Sequence, residues 1–268
     1  MKAVLTRRLV GGLERVGLAG PAYRGYERAK SFSLKGEPEL TPGDGLPLPP
    51  RSLRMAVAGT PDPVWFLRSG ARTAERIASL LSSHGEPVEQ VDALLDFGCG
   101  CGRVLRHWRS LPATSIHGTD VNRRLISWCE KNLTFATFST NKLEPPLPLE
   151  GDRFDAAYGF SVVTHLPEEL TFAWLDELAR VLRPGGLLVL STHGEAYADM
   201  LSPEERERFR HGEAIVHRSK VAGTNLCSAI HPAAYIEANF TRGFELLDHH
   251  PAPIDPLRDH DYVVLRKG

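Results

Sequence analysis

The chain is poor in cysteine and shows no cysteine pattern suited to metal. Cys99, Cys101, Cys129 and Cys227 are the only four in 268 residues, too few for a disulfide framework. Cys99 and Cys101 stand two positions apart, whereas a structural zinc site wants C-x-x-C with a second pair or histidines in register. No metal ligand is assigned. Excess charge is also missing: 32 basic residues stand against 33 acids, a formal net charge of -1, so no nucleic-acid partner is expected. No apolar run approaches the roughly 18 residues of a membrane span. No signal-peptide core follows Met1, and the expected compartment is reducing and cytoplasmic.

The remainder is ordinary globular material, 42% hydrophobic and 24% charged, enough for one large α/β domain with additions. Residues 1–30 carry Lys2, Arg7, Arg8, Arg15, Arg24, Arg28 and Lys30 against Glu14 and Glu27 alone. Leu5, Leu9, Leu13 and Val16 share one helical face there. Such a basic amphipathic helix can lie on an anionic membrane, at the inner membrane surface, or dock on its own domain. Gly11, Gly12 and Gly17 weaken it. Gly36 to Pro50 comes next, with eight of fifteen residues Gly or Pro, and reads as an irregular arm. The expected division is therefore an arm over 1–50 and a single domain over 51–268.

From Val64 a helix is expected, with Ile77, Leu80 and Leu81 on its apolar stripe. Then the rhythm alternates. "VDALLDFG", "SIHGTD", "FATFST", "FDAAYGFS" and "LLVLSTHG" read as strands, separated by helical segments from Arg103, through "VNRRLISWCEKNL" and through "LPEELTFAWLDELARVL". That alternation predicts a parallel sheet with helices on both faces. An insertion over about 195–240 is expected to hold an exposed helix ("SPEERERFRHGEA"), a small hairpin ("IVHRSK" with "TNLCSAIH") and another helix ("PAAYIEANF"). "FELLDHH" and "DYVVLRKG" then close the sheet.

The stretch "LLDFGCGCGR", Leu94 to Arg103, joins the first strand to the segment expected to be helical from Arg103. Asp96, Gly98, Gly100 and Gly102 form D-x-G-x-G-x-G at a strand end, where glycines let a ligand approach the backbone. The dinucleotide pattern G-x-G-x-x-G fails because Arg103 stands where the third glycine belongs. The phosphate-loop pattern is absent as well.

This arrangement resembles the class I (Rossmann-like) S-adenosylmethionine-dependent methyltransferases over about residues 91–194. The resemblance rests on "LLDFGCGCGR", on Asp120 closing "SIHGTD", on "FDAAYGFSVVTHL" and on "LARVLRPGGLLVLST", in that order. It implies a doubly wound, mostly parallel seven-stranded sheet whose last strand is antiparallel. It also implies S-adenosyl-L-methionine as cofactor. The loop with Asp96, Gly98, Cys99, Gly100 and Gly102 would lie against the methionine moiety, and Arg103 would pair with its carboxylate or stay on the surface. Asp120 would hold the ribose hydroxyls, with Val121 beside it. Asn141 stands near where many members place an Asp for the adenine, and an amide oxygen can accept from the same amino group. Phe160 and Ser161 would flank the reaction centre. Cys99 and Cys101 then read as small residues filling the loop.

If the acceptor is a hydroxyl or an ammonium, a base must take its proton. His165, His193 and His231 are the candidates, each with loop-forming as the plain alternative; Glu195 and Tyr197 are weaker ones. Trp65 and Phe66 could cap the pocket or pack on the sheet. The chain lacks the [DN]-P-P-[YF] motif of amide and adenine N-methyltransferases and the Pro-Cys nucleophile of cytosine C5 enzymes. The expected acceptor is a small molecule, lipid-linked compound or glycan, methylated on O or N. A non-catalytic cofactor-binding module and an NAD-dependent oxidoreductase remain as alternatives. Oligomeric state is not legible.

Overall fold

The computed structural model describes Gly25 and residues 42–111, 113–254 and 259–268. The basic segment read as a membrane-facing helix therefore lies, Gly25 apart, outside the described residues. The arm becomes describable near Asp44, whose carboxylate takes two hydrogen bonds from the buried Arg106 guanidinium, at 2.6 and 2.9 Å. A bidentate pair of this kind fixes geometry as well as adding energy.

Helices α1 (Arg51–Ala58) and α2 (Pro63–Ser83) lead into the sheet. Helix α2 begins where Asp62 caps it, its carboxylate accepting from the backbone N–H of Val64 and Trp65. Strands β1 (Ala93–Phe97), β2 (Ser115–Asp120), β3 (Thr137–Thr140), β4 (Phe154–Gly159) and β5 (Leu182–Thr192) come next, with α3 (Arg123–Asn132) after β2 and α4 (Glu168–Val181) after β4. Beyond β5 come α5 (Pro203–Arg210), β6 (Ile215–His217), β7 (Ser228–Ile230) and α6 (Ala233–Asn239). Strands β8 (Phe244–His250) and β9 (Asp261–Lys267) complete the order.

Seven strands form one sheet in the order β3-β2-β1-β4-β5-β9-β8. All pairs from β3 to β5 are parallel, and β9 runs antiparallel between β5 and β8. The doubly wound sheet with an antiparallel last strand is the expected one. Its alternating residues build two cores. Leu94 of β1 faces α2 and α3 with Ile77, Leu81 and Ile126, while Leu95 faces α4 and α6 with Trp174, Leu178 and Ile236. The insertion hairpin also forms as expected, β6 against β7.

One expectation is corrected. No α-helix starts at Arg103: residues 101–104 turn, and only a short 3-10 segment, Leu105–Trp108, comes after them. Contacts from outside hold this segment in place. Asp44 grips Arg106, and α2 comes so close at Gly70 that a Cβ there would lie 2.2 Å from the Arg103 carbonyl oxygen. Among the described residues, no helix is long and apolar enough to cross a membrane.

Candidate active site

In an open parallel sheet, ligands bind beyond the carboxyl ends of strands where the winding reverses. Here that point lies between β1 and β4, and a cleft of about 560 Å³ opens there. Asp96, Gly98, Cys99, Gly100, Arg103, Asp120, Val121, Asn141, Phe160, Ser161 and His165 all line it. Gly102 does not; it packs inward, where a Cβ would lie 2.4 Å from a Leu133 methyl.

The loop after β1 is held by backbone bonds to β2. The N–H groups of Gly98 and Cys99 both donate to the Thr119 carbonyl, at 2.8 and 2.9 Å. Gly98, Gly100 and Gly102 take φ of 79, 58 and 74°, which L side chains rarely adopt. Asp120 then ties loop to strand: Oδ2 accepts from Gly100 N at 3.0 Å and Oδ1 from Asn122 N at 2.7 Å. Burial pushes its carboxyl up to about 6 against the pull of those two N–H donors. Each oxygen keeps a lone pair, so the group can still receive a pair of hydroxyls.

Asp96 is buried at the end of β1, and burial pushes its carboxyl up to about 7. The Tyr158 hydroxyl donates to it, and Trp108 Nε1 donates to the Tyr158 oxygen at 2.8 Å. Among the described residues, Asp96 Oδ2 has no hydrogen-bond partner. Arg103 is its counterpart. Its guanidinium is buried, donates to Ser69 Oγ at 3.2 Å, and lies 4.9 Å from the Phe160 ring and 5.8 Å from the Trp65 ring. Among the described residues it has no ion pair. A buried acceptor and a buried cation, both under-satisfied and on one cleft wall, fit a ligand bearing an ammonium and a carboxylate. An α-amino acid moiety has that pair of groups.

Asn141 closes the far side. Thr119 Oγ1 donates to its Oδ1 at 3.1 Å, and its Nδ2 donates to the Lys142 carbonyl at 2.7 Å. One lone pair of Oδ1 is left for a ligand. Val121 stands 43% exposed at the same end, apolar surface that a flat ring can cover.

At the β4 end, Ser161 takes φ 60°, strained for a residue with a side chain. Its N–H donates to Ser191 Oγ at 2.8 Å. His165 Nδ1 lies 2.7 Å from the Cys227 carbonyl, which only accepts, so Nδ1 carries the proton. Burial lowers its pKa and keeps the ring neutral, leaving the lone pair on Nε2, 3.4 Å from Ser161 Oγ. A neutral imidazole in that tautomer can take a proton.

His193 and His231, the other candidate bases, do not line the cleft. His193 stacks on Tyr197 at 3.8 Å and meets His165 edge-on at 6.3 Å. Burial lowers it to about 2, and burial lowers His231, whose backbone N–H donates to the His193 carbonyl, to about 4. Two features of the site carry no sequence signal. His260 stacks on Phe160 at 4.7 Å, and its Nδ1 lies 3.0 Å from Ser191 Oγ. Residues Ala222 to Asn225 of the insertion complete the cleft, tied to α1 by Asn225 Nδ2 donating to the Ala56 carbonyl at 2.9 Å. Neither lies in a recognisable pattern; only the fold brings them in. Trp65 is 44% exposed, whereas Phe66 is fully buried and packs with Leu53 and Leu125.

Residues 94–186 match the model of a methyltransferase domain family. They form a class I methyltransferase domain. Among curated relatives of the chain, (+)-O-methylkolavelool synthase of Herpetosiphon aurantiacus is 31% identical over 130 residues, 46% of this chain and 44% of that protein. The ubiquinone biosynthesis O-methyltransferase of Cereibacter sphaeroides is 32% identical over 102 residues, 37% of this chain and 40% of that protein. The chain thus spans less than half the length of these relatives. An S-adenosylmethionine-dependent methyltransferase from Mesorhizobium loti shares the fold at a TM-score of 0.55 and 16% identity, over 70% of this chain and 96% of that one. The methyltransferase domain, from Leu94 to Gly186, takes in the glycine loop, Asp120, Asn141 and His165.

Proposed function

We propose that this protein transfers a methyl group from S-adenosyl-L-methionine to an oxygen of a small-molecule, lipid-linked or glycan acceptor. The observation that carries the reading is the under-satisfied pair Asp96 and Arg103 beside the Asp120-pinned glycine loop. When bound, the cofactor supplies an electrophilic methyl on a sulfonium that is its own leaving group.

The chain's residues then have separate tasks. Arg103 takes the carboxylate and Asp96 the ammonium of the methionine end. Asp120 takes the ribose diol, Asn141 the adenine edge, and Val121 covers the ring. The protein's share of the rate is alignment of acceptor and methyl group. His165 Nε2 takes the acceptor proton, with Cys227 holding its tautomer. Both curated relatives described above are named for O-methyl chemistry, which favours oxygen over nitrogen. The basic residues 1–30 add a second, weaker element: contact with an anionic membrane carrying a lipid-linked acceptor, which would place the protein at the inner membrane surface. Deletion of 1–35 without change in vesicle binding removes that element alone.

The test is calorimetric titration with S-adenosylhomocysteine and, separately, NADH. Binding of the former, lost in Asp120→Ala, supports the reading. Binding of NADH alone overturns it. Binding without methyl transfer across an acceptor screen favours a non-catalytic module.

A further inference from the structure

Strand β8 is an edge of the main sheet, three strands along from β4 and away from the cleft. Side chains of a regular strand alternate between faces. Leu246 pairs with Leu265, so unbroken alternation would set Asp248 opposite Val263, on the face covered by α4 and α6. The ladder instead contains a bulge between Leu246 and Asp248, and Asp248 pairs with Val264 while His250 pairs with Tyr262. Val264 and Tyr262 belong to the α2 face. One extra residue therefore re-aims Asp248 and His250 together, which is what bulges do. On that face α2 ends at His84, whose carbonyl is held by Arg266 Nη2 at 2.9 Å.

His84 Nε2 lies 3.6 Å from Asp248 Oδ2, and His250 Nε2 lies 2.9 Å from the same oxygen. All three donor atoms fall within 4.8 Å of one another. The first distance is informative. It is too long for a hydrogen bond, and His84 Nε2 is buried with no hydrogen-bond partner among the described residues. Ligands about 2.0–2.2 Å from one tetrahedral metal sit roughly 3.4 Å apart. The unpartnered nitrogen thus stands from the carboxylate at the separation of two ligands sharing an ion.

We propose that His84, Asp248 and His250 bind a divalent cation of the zinc type, separate from the methyl-transfer cleft. Two imidazoles and one carboxylate suit a borderline cation over magnesium or calcium. Three protein ligands leave the fourth position to water. The ion fastens the end of α2 to the edge strand, an otherwise open row of backbone groups.

The experiment is titration of the tag-free full chain with zinc chloride by calorimetry, then thermal melting and cobalt(II) absorption. One zinc per chain is expected, with Tm raised by about 5 °C at hundredfold excess over Kd. Cobalt is expected to give the intense visible bands of a four-coordinate site. Asp248→Asn and His250→Ala should each weaken zinc at least about tenfold, the loss of one good ligand. His217→Ala, which removes a different histidine–carboxylate pair, should not. His84→Gln serves where either variant melts early without zinc. No saturable binding overturns the proposal and leaves two plain histidine–aspartate pairs. Binding that survives Asp248→Asn and His250→Ala overturns it equally, since the ion is then held elsewhere.

Discussion

The carboxyl ends of β1 and β2 present acids, a guanidinium and open backbone, whereas those of β4 and β5 and the start of β9 present imidazoles and hydroxyls. On the first side, polar groups are buried and, among the described residues, short of hydrogen-bond partners: Asp96 Oδ2 has none, and Arg103 has one neutral hydroxyl. On the second, rings lean on rings. His165, His193, His260, Tyr197 and Phe160 stack or meet edge-on, and burial drives each of the three histidines toward its neutral form. The first side is thus preorganised for a zwitterion with a diol, since buried polar groups short of protein partners need them from a ligand. The second is an uncharged wall that holds a proton acceptor without carrying a charge. A charged cofactor and a neutral acceptor would be sorted by that contrast alone.

The largest expected effect breaks the comparison on the imidazole side. His165→Ala removes the one candidate base on the cleft wall, and kcat should fall about 10²–10⁴-fold. S-adenosylhomocysteine affinity should hardly move, because the cofactor side is untouched. Wild-type activity should fall as pH drops through the lowered His165 pKa, below its ordinary 6.5, since the base must be neutral. The variant's residual activity should lack that limb. A pH–rate profile with the limb intact in His165→Ala would move the base to another group.

On the charged side, Asp120→Ala should weaken S-adenosylhomocysteine roughly a hundredfold, the loss of two charge-assisted bonds at about 1.5 kcal/mol each. The Gly100 and Asn122 N–H groups lose their acceptor as well, so the loop loosens. Calorimetry reads both as lower affinity. An unchanged Kd would mean that the cofactor does not reach the end of β2.

Legibility in the sequence divides along the same line. Asp96, the glycines and Asp120 are read from local order, because one strand and one turn fix them. The strands announce themselves through apolar runs such as Leu94–Leu95 and Leu187–Leu190. The helix expected from Arg103 does not form, because local pattern carries no sign of Asp44 gripping Arg106 or of Gly70 pressing on the loop. The second side depends on distant pieces. His165 is 62 residues from Cys227, and His260 is 69 from Ser191. In sequence His193 and His231 look equivalent to His165, because a strand-end histidine has no mark of which way the fold turns it. The bulge that re-aims Asp248 is likewise invisible in "FELLDHH".

Asp96→Asn gives a third, opposed pair of effects. Burial raises the Asp96 pKa from 3.8 to about 7, so the native state holds a proton that the unfolded chain releases. Its contribution to stability is full below about pH 4 and lost as pH rises through about 7. The amide removes that loss, and at pH 8 stability should rise by on the order of 4 kcal/mol, read from denaturant unfolding. Cofactor affinity should fall about tenfold, since an amide cannot pair with an ammonium as a carboxylate does. Gain of stability with loss of binding marks Asp96 as a group kept for its ligand.

The smallest effect lies where the two sides meet. Arg103 stands between Phe160, which belongs to the imidazole wall, and Trp65, which projects from α2 and is 44% exposed. A cation over an exposed ring contributes about 0.5–1 kcal/mol, so Trp65→Ala should weaken S-adenosylhomocysteine by about two- to fivefold. Phe66 offers the control: it is buried against Leu53 and Leu125, so Phe66→Ala should cost stability instead, about 3–5 kcal/mol. If Trp65→Ala abolished binding outright, the indole would be closing over the ligand, and the two sides would share a cover that joins their fates.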